Sequence, residues 1–109
     1  LRRDIPTLME EMVILLGGPI NVSEFAIAHT DNIAEKAVSA LNNTNGILLA
    51  NHGVIVCGRN MSHTVKMAEV VEKMALIYWG ALQIGDPFTI SKEACNNLMN
   101  DFNSNFSTY

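Results

Sequence analysis

Two short, strongly apolar runs separated by a single tight break constrain this chain more than any other feature. Ile47-Leu48-Leu49-Ala50 and Val54-Ile55-Val56-Cys57 flank Asn51-His52-Gly53, and Gly58-Arg59-Asn60 closes the second run. Runs this short, apolar and partly β-branched predict two buried strands. Asn-His-Gly then reads as a hairpin or local break. It fixes one imidazole at a position held by structure on both sides and open enough for chemistry. A neutral imidazole there is a good ligand for a transition metal. A zinc site with an open position takes three protein ligands, and no His-x-His, His-Glu-x-x-His or Cys-x-x-Cys pattern occurs in the chain. Spacing alone therefore leaves His52 between a metal ligand and a hydrogen-bonded structural histidine.

Around the two strands the pattern is helical. Pro6 suits a first turn, and Leu8, Met9, Met12, Val13, Leu15 and Leu16 continue a largely apolar helix that Gly17-Gly18-Pro19 stops. Phe25 to Ala28 reads as a short strand or an extended loop. Thr30-Asp31-Asn32 offers N-cap residues, with Asn32 and Glu35 spaced as a capping box. Ile33, Ala34, Ala37, Val38 and Leu41 then share one helical face, and Asn42 to Gly46 forms a turn. Ser62 is a candidate cap for a long helix to about Ile84, with Gly85 and Pro87 beyond it. Val65, Ala68, Val71, Ala75, Tyr78 and Leu82 mark its expected inner stripe. Met74, Leu76, Ile77 and Trp79 widen that stripe, as in helices that are sandwiched or lie at an interface. Ser91 suits the cap of a last helix through Met99, and 100–109 reads as a polar tail. Helices alternating with strands imply an α/β or α+β layered domain with an incomplete sheet.

Composition narrows the function classes. The chain is 49% apolar but only 17% charged, low for a small free-standing domain and a hint of surface covered by something else. With net charge −4 and no basic stripe, nucleic acid is not an expected partner. No apolar run reaches the ~18 residues of a membrane span, and no signal peptide is visible. Cys57 and Cys95 read as free thiols in a reducing cytoplasm. The chain begins at Leu1 rather than a methionine, as expected of a processed start or a piece of a longer polypeptide. His29 and His63 each stand beside a candidate cap, where a surface or capping role is expected. Gly17-Gly18 is a helix stop rather than a phosphate cradle, because Pro19 removes a backbone donor.

Residues 5 to 91 resemble the C-terminal half of the class II aldolase/adducin family, especially its zinc-dependent fuculose-phosphate aldolases. The likeness is carried by Ile5-Pro6 leading to Gly17-Gly18, the helix after Thr30, and the segment Gly46 to Gly58 with its central Asn51-His52-Gly53. The long helix with Glu69 and Glu72, ending at Gly85-Asp86-Pro87, completes it. The resemblance implies an α/β fold: part of a three-layer α/β/α sandwich around a largely antiparallel sheet. Residues 1–109 would be the C-terminal portion of one such domain, in a homotetramer. It implies a metal-dependent sugar-phosphate aldolase producing dihydroxyacetone phosphate and an aldehyde. His52 would be one of three histidine ligands to Zn2+ or another divalent ion. The His-x-His pair, the acid/base glutamate and the phosphate loops would come from the N-terminal half. Phe25 stands where these aldolases often carry a helping tyrosine, and it has no hydroxyl. Tyr109, in Phe106-Ser107-Thr108-Tyr109, matches a functional tyrosine near the family's C-terminus. The alternatives are a related epimerase or dehydratase, or a non-catalytic adducin-like assembly module.

Overall fold

The computed structural model describes residues 1–106. A three-stranded sheet lies at its centre in the order β1 (Asn21–Val22), β2 (Gly46–Leu49), β3 (Gly53–Val56). β1 runs parallel to β2, with Asn21 opposite Ile47 and Val22 opposite Leu48. A parallel pair needs a crossover, and helix α1 (Asp31–Leu41) supplies it. β2 and β3 form an antiparallel hairpin with Ile47 opposite Ile55 and Leu48 opposite Val54. The sheet is therefore mixed rather than largely antiparallel. β1 precedes Phe25–Ala28, where a short strand or extended loop is expected, and it is two residues long. Its span is set by pairing to β2, not by an apolar run of its own.

Because side chains alternate along a strand, β2 serves two layers. Ile47 and Leu49 pack with Ala37 of α1, joined by Ile33, Ala40 and Leu41. Leu48 turns to the other face, against the main core. That core joins Met67, Val70, Val71 and Met74 of helix α2 (Met61–Ile84) to Met12, Leu15 and Leu16 of a π-helical segment (Met12–Leu16). The buried stripe of α2 is thus rotated from the expected one: Val65 is half exposed and Met67 fully buried. Helices cover both faces of β2, in three strands only.

Several local details differ from the sequence pattern for identifiable reasons. Pro6 and Thr7 do not enter a helix; the Thr7 carbonyl accepts from Ile90 N–H (2.9 Å) and ties the first segment to the last. The cap of α2 is Asn60, whose side chain accepts from His63 N–H (2.9 Å), so Ser62 lies inside the helix. Thr30 precedes α1 without capping it, because its hydroxyl donates to the Ile27 carbonyl (2.6 Å). Ser91 does cap helix α3 (Lys92–Asp101), accepting from Ala94 N–H (3.2 Å). α3 continues as a second π-helical segment (Phe102–Phe106), within the stretch expected to be a polar tail. Phe102 is among the most buried side chains. Its ring lies where a Cβ on Gly17 would sit, 2.6 Å from Cζ, and Gly17 has φ +90°. Only glycine satisfies both conditions at low cost.

One further residue ties the hairpin to the core. Asn45 is fully buried; its Nδ2 donates to the Leu15 carbonyl (3.0 Å), and its own N–H to the Leu16 carbonyl (2.8 Å). Its carbonyl accepts from Cys57 N–H (3.0 Å). A residue read as part of a turn thus satisfies buried backbone groups at the π-helical end.

β3 departs most from expectation. Its sequence predicts a buried strand, yet Val54 is 48% and Ile55 36% exposed. It forms the open edge of the described sheet.

Candidate functional site

His52 is the last residue of the three-residue break of the hairpin, Ala50 to His52. Asn51 adopts the left-handed conformation (φ +56°), which asparagine tolerates better than most residues. His52 N–H then donates to the Leu49 carbonyl (3.1 Å) and closes the turn. Arg2 pins it from outside: its Nη2 and Nε donate to Asn51 Oδ1 at 3.0 and 3.3 Å. The same guanidinium carbon lies 5.6 Å from the centre of the Phe25 ring, within reach of a cation–π attraction. Phe25, half exposed, is therefore brought to the side of the turn.

The segment after β1 is fastened alongside by Ser23. Ser23 N–H donates to the Leu48 carbonyl (2.8 Å), and its hydroxyl accepts from Ala50 N–H (3.4 Å). Residues 25–29 consequently run past the hairpin. They carry His29 to the depression where His52 lies. That depression, about 320 Å³, is lined by both imidazoles with Ala28, Ile33, Leu49 and Ile55 among the apolar residues. His52 itself is exposed. A larger depression of about 530 Å³ lies beyond Asn51 and is lined by Arg2, Arg3, Tyr78 and Trp79. Among the described residues its lining includes no imidazole, thiol or carboxylate.

Of the residues singled out in the sequence, the structure unites His52 and Phe25 around one turn. Tyr109 lies outside the described residues. His63 has a structural role: its Nδ1 accepts from Arg59 N–H (2.9 Å) at the start of α2. Cys57 and Cys95 are both half-buried and neither is in a disulfide. His29 is the addition. Its adjacency to His52 depends on Ser23 bonding to the end of β2, a contact between distant parts of the chain for which no local pattern exists.

The exposed imidazole of His52 is a donor type that suits a divalent transition metal. His52 offers an imidazole nitrogen on a rigid turn. Among the described residues, however, no three His, Cys, Asp or Glu side chains converge to hold an ion.

Comparison with known proteins supplies the context for the hairpin turn and its histidine. Residues 1–79 match the model of the family described as Class II Aldolase and Adducin N-terminal domain. The chain belongs to this family. It is 29% identical over 102 residues to a 5-methylthioribulose-1-phosphate/5-deoxyribulose-1-phosphate aldolase of Rhodospirillum rubrum, covering 94% of this chain and 46% of that protein. It is 31% identical over 90 residues to the L-fuculose phosphate aldolase of Escherichia coli (strain K12), covering 83% of this chain and 42% of the relative. A solved L-fuculose 1-phosphate aldolase superposes with a TM-score of 0.86 at 28% identity, covering 94% of this chain and 48% of that one. The chain thus spans about half the length of the curated relatives it matches. No helix among the described residues is long and apolar enough to cross a membrane.

Proposed function

We propose that the protein acts in metal-dependent aldol cleavage of a ketose 1-phosphate, with His52 as one of the imidazoles that hold zinc or another divalent ion. The observation carrying this reading is the position of His52: an exposed imidazole on a turn locked by Leu49, Asn51 and Arg2, in a member of an aldolase family. The relatives' names supply the substrate class. When bound, such an ion supplies Lewis-acid polarisation of the substrate oxygens beside the breaking bond.

This chain's residues build one wall of the site. The closed turn fixes the backbone that carries the imidazole, so less ordering is left for binding. Leu49 and Ile55 keep that wall apolar, which strengthens electrostatic interactions at the reacting end. Cleavage breaks the bond between the third and fourth carbons. The 4-hydroxyl loses its proton, the electron pair passes to the third carbon, and a proton delivered there leaves dihydroxyacetone phosphate and an aldehyde. Phe25 moves none of these protons, having no ionisable group. That work belongs to a carboxylate of the N-terminal half of the domain, which also brings the remaining metal ligands and the phosphate site. Tyr109 is proposed as an accessory hydroxyl donor. Assembly as a homotetramer in the cytoplasm, with added strands beside β3 completing a three-layer sandwich, belongs to the same reading. The half-exposed Val54 and the exposed Leu76 and Trp79 are apolar surface for such neighbours to cover.

The test is release of dihydroxyacetone phosphate from L-fuculose 1-phosphate or 5-deoxyribulose 1-phosphate by the native protein. The expected outcome is release from at least one, abolished by a chelator and restored by Zn2+. No release from either, or release insensitive to chelation, contradicts the proposal.

A further inference from the structure

The reading above gives His52 a role and leaves its neighbour without one. His29 reaches the same depression from a different segment, and its backbone lies in the left-handed region (φ +64°). That region is unfavourable for a residue with a Cβ, although histidine visits it more often than most. Glycine or asparagine would fit the turn with less strain. A strained residue that delivers its side chain beside a functional group is grounds for a functional hypothesis.

The rest of the wall limits what His29 meets. Among the described residues the two imidazoles are the only polar side chains lining the depression, and no lysine or arginine lines it. Beyond the ion proposed on His52, this wall offers a phosphate dianion no charged side chain to offset its lost hydration. The end of the substrate facing this wall is therefore the one remote from the phosphate, the half released as aldehyde. Imidazole both donates and accepts hydrogen bonds, which suits a hydroxyl.

We propose that His29 is a specificity-determining residue of this site, hydrogen-bonding a hydroxyl on the aldehyde half of the ketose 1-phosphate while Ala28, Ile33, Leu49 and Ile55 receive its carbon chain. The proposal rests on the aldolase reading. It separates two substrates that otherwise react alike. L-Fuculose 1-phosphate releases an aldehyde carrying a hydroxyl beside its carbonyl; 5-deoxyribulose 1-phosphate releases one without it.

The experiment compares kcat/KM for these two compounds in the native protein and its His29→Gly and His29→Asn variants, with zinc content measured on each. Glycine relieves the backbone while removing the imidazole, so the fold is expected to survive, checked by the thermal unfolding midpoint. The expected result is a fall of about tenfold or more in the ratio of kcat/KM for L-fuculose 1-phosphate to that for 5-deoxyribulose 1-phosphate in His29→Gly. Zinc content stays unchanged, and His29→Asn recovers part of the ratio. An unchanged ratio in an active enzyme overturns the role of His29 alone. So does loss of zinc, which would make His29 a metal ligand, and so does a native protein that cleaves only 5-deoxyribulose 1-phosphate. A native protein that cleaves neither compound overturns the aldolase reading and this proposal together.

Discussion

β2 and β3 are built from nearly the same residues, Gly-Ile-Leu-Leu and Gly-Val-Ile-Val, and end in different surroundings. Ile47 and Ile55 stand opposite each other in the hairpin. Ile47 is fully buried under α1, whereas Ile55 is 36% exposed at the rim of the histidine depression. The difference lies in what covers each strand, not in the strands. β2 has a partner on both edges and a helix on both faces. β3 has one edge paired, and an apolar edge left open is a site for pairing with another chain. The turn joining the two strands carries His52, so the proposed metal ligand stands where the packed part of the molecule meets its open part.

Core truncation gives the largest expected effect and puts this comparison at risk. Ile47→Ala is expected to lower stability by about 4 kcal/mol, as for a fully buried aliphatic residue in a site that cannot collapse. Ile55→Ala in the chain by itself is expected to cost less than about 1 kcal/mol. Denaturant titration of both variants checks the pair; equal losses would mean that β3 is covered after all. Gly17→Ala comes next, at about 3 kcal/mol, because it combines a positive φ with a collision against the Phe102 ring. A matching loss for Gly53→Ala, whose surroundings are open, would weaken the contrast between packed and open sides.

Asn45→Ala is expected to cost about 2 kcal/mol by leaving the Leu15 carbonyl without its donor inside the core. Chemical denaturation measures it. The smallest effect lies on the open side. The Lys36 ammonium hydrogen-bonds and attracts the Glu24 carboxylate and holds its pKa below the usual carboxylate range. Its contribution is present above the ordinary glutamate pKa of about 4.3 and disappears as pH falls through the lowered folded value. Lys36→Met should therefore flatten the acid side of the stability–pH profile and leave the midpoint at neutral pH nearly unchanged, since Glu24 is exposed. An equal loss at every pH would contradict that assignment.

The elements legible in the sequence are those whose signal is local. The hairpin around Asn51-His52-Gly53, the long α2 and the Ser91 cap follow from short-range pattern and were read close to where they lie. What was not legible depends on contacts between distant residues. β1 is a strand only because Asn21 and Val22 pair with β2. Phe102 is core only because Gly17 leaves room for its ring. Asn45 resembles any turn asparagine until the carbonyls of Leu15 and Leu16 are placed beside it. The exposure of β3 is of the same kind, since alternation and composition report that a strand is apolar and not whether a neighbour is present. At the site, His52 stood out by its flanking strands. His29 did not, because its place beside His52 depends on Ser23 being tied to Leu48 and Ala50.

That His52 supplies one ligand of a metal site completed from outside this chain is tested most directly by metal content. Elemental analysis of the native protein is expected to find close to one zinc or other divalent ion per chain, and close to none after His52→Ala with the fold intact by circular dichroism. Metal retained at the native level in the His52→Ala variant would contradict the account.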